Sequence, residues 1–170
     1  VQKNIVSIVM YVRPKNLDEV ITLMSKDTWS ILAGGTDIYP SIGERPIKTP
    51  FIDLTDVCDL KGITEDGSFW RIGAAATWTE LIKTKLPPGF NALKQAAREI
   101  GSIQIQNRAT IAGNICNASP AADGVPALMI LNASVELTSV SGTRGVALKD
   151  YIIGNRKTVR NANETGSCMK

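Results

Sequence analysis

The first third of the chain shows a helical pattern between two apolar runs. One stripe of apolar side chains recurs at i, i+3, i+4 and i+7, and it consists of Leu17, Val20, Ile21 and Met24. Asn16 precedes the stripe as an N-cap, with Glu19 at the capping-box position, so we predict a helix over 17–25. The apolar runs at 5–10 and 29–33 predict strands. This order predicts a small parallel α/β unit, in which ligands bind beyond the carboxyl ends of the strands.

The rest of the chain mixes helical periods with strand-like segments. Helices are predicted over 38–43, 78–85, 91–100 and part of 119–131, and strands over 51–54, 60–64, 69–73, 134–140 and 144–148. We therefore predict an α+β fold of two lobes: residues 1–56 form a small parallel α/β lobe, and residues 57–170 form a larger lobe with an antiparallel sheet. The polar tail at 161–170 shows no period, which predicts a mobile segment.

The composition is that of an ordinary globular protein, since 44% of the 170 residues are apolar and 21% are charged. The net charge is +3 without a dense run of Lys and Arg. The densest basic segment, 156–160, is interpreted as a solvated turn, so no nucleic-acid partner is predicted. The apolar run at 5–10 is too short to cross a membrane and lacks a small-residue cleavage site, so no membrane association is predicted either.

Cysteine and histidine usage narrows the chemistry. Cys58, Cys116 and Cys168 form no C-x-x-C pair, so the chain has no iron–sulfur or zinc spacing of its own and no metal ligands are predicted. Reduced thiols fit a cytoplasmic protein. The chain has no histidine, which removes the Ser-His-Asp and Cys-His nucleophiles and the commonest general base. If the protein belongs to an enzyme, its chemistry is therefore expected from a cofactor, with no catalytic side chain.

A Gly-Gly corner follows the second predicted strand, in the segment Ile31-Leu32-Ala33-Gly34-Gly35-Thr36-Asp37-Ile38. Glycines are used where the backbone takes a positive φ or where nothing stands between main chain and ligand. The N–H groups at such a corner form a concavity for an anion. The alternative is a tight turn from strand to helix with no ligand. Neither G-x-G-x-x-G nor a Walker A sequence occurs in the chain.

A second stretch of small and polar residues runs Thr110-Ile111-Ala112-Gly113-Asn114-Ile115-Cys116-Asn117-Ala118-Ser119-Pro120-Ala121-Ala122-Asp123. In this order, the two stretches resemble the FAD-binding subunit of molybdenum hydroxylases, the flavoprotein component of xanthine dehydrogenase, aldehyde oxidoreductase and carbon monoxide dehydrogenase. AGGTD corresponds to the first pyrophosphate loop of that family, and TIAGN to its common TIGGN. The resemblance continues through Ile100-Gly101-Ser102 and Gln104-Ile105 and covers nearly the whole chain.

The resemblance implies a two-lobed FAD-binding fold of the PCMH type, with FAD in the cleft between the lobes. The implied cofactor-lining residues are Ile31, Leu32, Ala33, Gly34, Gly35, Thr36, Asp37, Ile38, Ile100, Thr110, Ile111, Ala112, Gly113, Asn114, Ser119 and Asp123. The amides of 33–36 are expected to hold the pyrophosphate, and Asp37 to lie at the start of the following helix. Ser119 is expected to make a polar contact. Asp123 is expected to accept hydrogen bonds from ribose hydroxyls or to cap a helix. For Ile100, a place in the core and a contact with the cofactor are equally compatible with the sequence.

Two features depart from the family pattern. Ala112 replaces the first glycine of TIGGN and adds a methyl where backbone and cofactor come close. Family flavoproteins also continue into a C-terminal domain that helps to enclose the flavin, and this domain is absent from the 170 residues, so the ring is expected to be exposed. Replacing Gly34 or Gly35 by Val is expected to fill the phosphate space while leaving most of the fold intact.

The implied function is electron transfer within a molybdenum hydroxylase. Substrate would be oxidised at molybdopterin on a large subunit, and electrons would pass through the [2Fe–2S] clusters of a small subunit to FAD, with NAD⁺, O₂ or a protein as the final acceptor. One alternative is a non-catalytic assembly or binding module that no longer holds flavin tightly. A second is an unrelated nucleotide-dependent reductase with a similar glycine corner.

Overall fold

The computed structural model describes residues 10–44, 47 and 49–170 of the chain. Helices lie at Leu17–Lys26 (α1), Ile38–Ile42 (α2), Trp78–Lys83 (α3), Asn91–Glu99 (α4), Ile103–Gln106 (α5), Ile111–Asn117 (α6), Gly124–Ile130 (α7) and Leu148–Tyr151 (α8). Strands lie at Tyr11–Val12 (β1), Ser30–Leu32 (β2), Phe51–Asp53 (β3), Ile63–Asp66 (β4), Phe69–Gly73 (β5), Ser134–Ser139 (β6), Gly142–Ala147 (β7), Ile152–Gly154 (β8), Lys157–Thr158 (β9) and Thr165–Met169 (β10). The strand predicted over 5–10 falls, except for Met10, outside the described residues.

The N-terminal sheet is parallel, as the strand–helix–strand pattern predicts. Its order is β1-β3-β2, and both outer strands run parallel to β3. Helix α1 makes the crossover and begins where the pattern places it, because the Asn16 side chain accepts a hydrogen bond from the Glu19 amide at 2.9 Å. The apolar stripe faces the sheet, where Val20 and Met24 are buried in one core with Ile52.

The second sheet is antiparallel and has the order β4-β5-β10-β6-β7. Helices α3, α4, α6 and α7 contribute side chains to the core that it covers. Fully buried members of this core include Trp78, Leu81, Leu93, Ile111, Leu137 and Tyr151. The predicted α+β fold, with one parallel and one antiparallel sheet, is confirmed.

The small core also uses residues that follow strand β3 in the chain. Val57, Leu60 and Ala74 are buried with the helix α1 and strand β3 residues, in the core of the small sheet. These three residues follow residue 56 in the chain. The small core therefore contains residues from both sides of the boundary predicted between 56 and 57. The division into 1–56 and 57–170 stays a prediction.

The prediction of a mobile tail at 161–170 is wrong. Strand β10 lies inside the second sheet between β5 and β6, with Met169 opposite both Ile72 and Val135. The polarity of this strand led to the wrong prediction, because polar residues were expected to be exposed. In the structure they are buried with hydrogen-bond partners. Ser167 donates to the Glu136 carboxylate at 2.9 Å, for example. A polar segment that finds such partners is stable in a sheet interior.

Several local details differ from the predicted pattern. The helix expected within 119–131 begins only at Gly124, because Ser119 to Ala122 form a turn closed by the Ala122 amide and the Ser119 carbonyl. The segment 111–117 forms helix α6, and 152–158 forms the small hairpin β8–β9; neither was predicted. No helix in the described part of the chain is long and apolar enough to cross a membrane.

Candidate functional site

The glycine corner begins where strand β2 leaves the parallel sheet. Leu32 ends the strand and is buried, and Gly35 takes a positive φ of 74°, a conformation that strains any residue with a β-carbon. The Tyr39 amide then donates to the Gly35 carbonyl at 3.0 Å and starts the short helix α2. The exposed Tyr39 ring covers this glycine, since a β-carbon on Gly35 would lie 2.3 Å from Tyr39 Cε2.

Gly34 brings the corner against the segment that leads into the second motif. A β-carbon on Gly34 would lie 2.0 Å from the carbonyl oxygen of Arg108 and 2.9 Å from Cα of Ala109. The glycine therefore permits main chain to pack on main chain between the two motifs. The expectation that Val at this position leaves most of the fold intact is wrong, because the branched side chain would meet the Arg108 backbone rather than open phosphate space.

The turn leaves main-chain donors without partners. Within the described chain, no residue accepts a hydrogen bond from the amides of Gly34, Gly35 or Thr36. Unpaired N–H groups on successive residues are suited to an anion with several oxygens, and they favour it without a lysine or arginine. These unpaired donors make the corner a candidate anion-binding turn.

The TIAGN segment forms the start of helix α6. The Thr110 hydroxyl caps this helix by accepting from the Gly113 amide at 3.0 Å. Ile111 is fully buried, and its amide donates to the carbonyl of Ala76 at 3.0 Å, which ties the helix start to the loop before α3. Thr110 and Ile111 are therefore committed to capping and packing.

Asn114 differs from its neighbours in having an unsatisfied side chain. Its Oδ1 atom is buried and has no hydrogen-bond partner among the described residues. Gly124, the first residue of α7, lies beside this atom, since a β-carbon there would be 3.4 Å from Oδ1 and only 2.4 Å from Cη2 of Trp78. A buried acceptor without a donor is destabilising, and it is a candidate for contact with a ligand.

Asp37 lies at the start of helix α2, as predicted. It occupies the N-cap position, but its side chain makes no capping hydrogen bond. Its Oδ2 instead accepts from Nδ2 of Asn117 at 2.9 Å, and Oδ1 of Asn117 accepts from Nη1 of Arg156 at 2.5 Å. The carboxylate is thus directed to the far end of helix α6.

The remaining predicted residues lie in different environments. Ile100 follows helix α4 and packs against the core of the second sheet, which favours a core role. The Ser119 hydroxyl accepts from the Ala121 amide at 3.3 Å. Asp123 is exposed and makes no capping hydrogen bond at the start of α7, so its carboxylate is not used as a helix cap.

Apolar residues of the two motifs pack on the small core. Ile31 of strand β2 and Ala112 of helix α6 are half-buried against it, although Ala112 belongs to the second motif. Helix α6 thus packs Ala112 on the small core, while its Ile111 and Ile115 belong to the core of the second sheet. Ala33 and Ile38 are half-buried on either side of the glycine corner.

The carboxylate of Asp53, opposite the end of strand β2, has its hydrogen-bond partners within the fold. Asp53 lies opposite Leu32 in the parallel sheet, and it accepts from the Thr55 amide at 2.8 Å, the Thr55 hydroxyl at 2.5 Å and the Tyr11 hydroxyl. Burial raises the pKa of this carboxyl, but these hydrogen bonds and the nearby Arg13 guanidinium outweigh burial and hold the pKa below its ordinary value. Asp53 therefore stays ionised without presenting a free charge to the glycine corner.

The sequence pattern missed three residues around the corner: Tyr39, Asn117 and Arg156. Asn117 lies in the second motif, but its hydrogen bonds were not predicted. The contact of Arg156 with Asn117 joins residues far apart in the chain, and no local pattern indicates it.

Comparison with known proteins identifies the family of this chain. The family described as the FAD binding domain in molybdopterin dehydrogenase matches residues 4–165. The nicotinate dehydrogenase FAD-subunit of Eubacterium barkeri is 38% identical over 161 residues, which are 92% of this chain and 54% of that protein. The xanthine dehydrogenase FAD-binding subunit of Escherichia coli O157:H7 is 36% identical over 152 residues, which are 86% and 52% of the two chains.

Among solved structures, a carbon monoxide dehydrogenase from Hydrogenophaga pseudoflava that lacks the Mo-pyranopterin moiety of its molybdenum cofactor has the same fold. It superposes with a TM-score of 0.86 at 28% identity, covering 95% of this chain and 57% of that chain. The chain thus spans about half the length of the relatives that it matches. The family match covers nearly all 170 residues, so the chain belongs to the FAD-binding domains of molybdopterin dehydrogenases, and its cofactor is FAD.

Proposed function

We propose that this chain holds FAD chiefly at its pyrophosphate, on the amides of Gly34, Gly35 and Thr36. The observation that carries the proposal is the contact of Gly34 with the Arg108 backbone, because it places the unpaired amides next to the second motif. A pyrophosphate would satisfy these donors, and neutral main-chain groups are sufficient to bind it. The Thr36 hydroxyl adds a further donor to the same loop.

The residues present fit a dinucleotide in one further respect. Buried Oδ1 of Asn114 has no described partner, and hydroxyl groups of a ribose or ribitol chain are donors that would satisfy it. The exposed Asp123 carboxylate does not cap helix α7 and would accept hydrogen bonds from ribose hydroxyls. The proposed lining set is Ile31, Leu32, Ala33, Gly34, Gly35, Thr36, Asp37, Ile38, Ile100, Thr110, Ile111, Ala112, Gly113, Asn114, Ser119 and Asp123, between lobes formed by 1–56 and 57–170. Within this set, Thr110 and Ile111 would shape the wall of the site through their capping and packing contacts.

The corresponding activity is electron transfer as the flavin component of a molybdenum hydroxylase. The partners in this proposal are a molybdopterin-binding large subunit and a [2Fe–2S] small subunit, with NAD⁺ or another final acceptor. Bound FAD would supply the redox chemistry, so side chains of this protein bind and orient it and need not transfer protons. Three free cysteines, Cys58, Cys116 and Cys168, fit the reducing cytoplasm as the location.

Titration of the purified protein with ADP, FAD and riboflavin tests the cofactor proposal. If the pyrophosphate is the main point of attachment, ADP and FAD bind within about tenfold of one another, or roughly 1.4 kcal/mol, and riboflavin hardly binds. Strong riboflavin binding would show that the ring itself is enclosed. Failure of both ADP and FAD to bind would favour an assembly module without flavin. Copurification with molybdopterin and [2Fe–2S] subunits tests the partners separately.

A further inference from the structure

Asp37 follows directly after the unpaired amides of Gly34, Gly35 and Thr36. Its carboxylate could weaken the binding of an anion there in two ways. Its ionised carboxylate would repel a pyrophosphate electrostatically. Aspartate side chains also accept hydrogen bonds from nearby main-chain N–H groups, so a free Asp37 would compete for the donors of Gly35 and Thr36. The position of its carboxylate therefore matters for any anion bound at the corner.

In the structure this carboxylate is hydrogen-bonded to Asn117, and among the described residues it accepts from none of the three corner amides. The amide group of Asn117 uses both of its polar atoms: Nδ2 donates to Asp37 at 2.9 Å, and Oδ1 accepts from Arg156 at 2.5 Å. The N–H group of Asn117 thus faces the Asp37 carboxylate, and its carbonyl oxygen faces the Arg156 guanidinium. Only one of the two possible flips of the side-chain amide makes both hydrogen bonds. The Arg156 guanidinium polarises the amide and strengthens its bond to Asp37.

Asn117 and Arg156 are brought together where two non-glycine residues, Ala118 and Arg156, have a positive φ. Ala118 ends helix α6 with a φ of 47°, and Arg156 has a φ of 53° in the β8–β9 hairpin. The Arg156 amide donates to the Ala118 carbonyl at 2.9 Å, so the two left-handed residues are joined directly. Non-glycine residues in this region are destabilised, and such strain persists when surrounding contacts fix it.

We propose that Asn117 and Arg156 are positioning residues for a diphosphate ligand, because they hold the Asp37 carboxylate away from the amides of the glycine corner. The inference rests on the proposed function and deepens it: the ligand class is a nucleoside diphosphate or a dinucleotide containing one. Neither side chain touches the ligand in this role. Each acts on affinity by controlling one negative charge.

Removal of Asn117 is the first test, with ADP, FAD and riboflavin as ligands of the purified protein. Asn117→Ala releases Asp37, and we expect the affinity for ADP and for FAD to fall by about five- to tenfold. Combining it with Asp37→Asn removes the charge that was released, so affinity returns to within about twofold of the wild type. A merely structural role of Asn117 would leave the double variant as weak as the single one.

Arg156→Gln provides the second test and has a matched control in the same hairpin. We expect a smaller loss for both phosphate ligands, which Asp37→Asn again reverses. Lys157→Gln removes the same charge from an exposed neighbouring position and is expected to bind like the wild type. An equal loss in Lys157→Gln would show that net charge, and not the Asn117 contact, explains the effect.

The outcomes separate this inference from the proposed function. If the wild type binds ADP and FAD but Asn117→Ala binds them equally well, the positioning role is wrong and the function stands. If the double variant stays as weak as Asn117→Ala, the positioning role is also wrong. If the wild type binds neither ligand, the proposed function fails and the inference fails with it.

Discussion

The carbonyl oxygen of Arg108 lies 2.0 Å from the position that a β-carbon on Gly34 would occupy. This contact joins the first motif, through main chain, to the segment that leads into the second motif, and it explains the glycine at position 34 by packing. Gly35 has a separate reason, its positive φ of 74° beneath the Tyr39 ring. The two glycines of one motif thus meet different physical requirements.

Replacing Gly34 by Ala should lower stability and flavin binding together. The added carbon meets backbone that cannot move as a side chain would, so we expect a loss of about 1–3 kcal/mol in the free energy of unfolding. Thermal unfolding and flavin content after purification measure both effects. Gly89→Ala is the control, because a β-carbon there meets no atom within 4 Å. Loss of flavin at unchanged stability would instead support the phosphate-space explanation.

Replacing Ala112 by Gly should lower stability without weakening FAD binding. The Ala112 methyl packs on the small core, so its removal adds lost contact to the usual helical penalty of glycine, roughly 0.5–1 kcal/mol. Ala92→Gly is a matched control, since Ala92 is also the second residue of its helix and is exposed. We expect the Ala112 variant to be the less stable of the two in urea unfolding. Tighter FAD binding without any loss of stability would show that the methyl faces the cofactor.

Replacing Asp123 by Ala should weaken FAD binding at unchanged stability. The carboxylate is exposed and caps no helix, so the fold does not depend on it. We expect a loss of roughly 1–3 kcal/mol in FAD binding, the range for an unmade hydrogen bond, measured by fluorescence titration. Riboflavin lacks the adenosine ribose and should bind the variant and the wild type alike. Equal losses for both ligands would mean that Asp123 acts through stability.

Glu164 should make stability depend on pH in the acid range. Arg144 donates to both of its carboxylate oxygens, at 2.6 and 2.9 Å, and the Asn161 amide donates at 2.7 Å. Chiefly because of Arg144, the pKa of Glu164 falls from 4.5 to about 2. Since the folded pKa lies below the unfolded one, the stabilisation is complete above the unfolded pKa and is lost as the pH falls toward 2.

The test compares the wild type with Glu164→Gln in urea unfolding at several pH values. We expect the wild type to be more stable by roughly 2–3 kcal/mol at pH 6, with the difference shrinking as the pH falls from about 4.5 toward 2. Glu65→Gln, which removes a carboxylate from an exposed position of strand β4, is the control. A difference independent of pH would mean that Gln disturbs packing rather than charge.

The local pattern was sufficient for the helices that carry their own start signals. Asn16 with Glu19, and Thr77 with Glu80, make the predicted capping hydrogen bonds at the starts of α1 and α3. A cap needs only residues three positions apart, so the sequence contains all of it. The family and its cofactor were also recognisable from two short motifs in the correct order, and the comparisons confirm both.

The sequence by itself thus determined the capped helices, the parallel unit and the flavin family, whereas the tertiary structure decided strand β10 and the partners of Asp37. Thr165 and Ser167 are polar and lack a helical period, and they become strand residues only when β5 and β6 flank them. Asp37 accepts its hydrogen bond from Asn117, which lies eighty positions away in the chain. Burial and pairing of polar groups depend on which distant segment supplies the partner, and no local pattern specifies that segment.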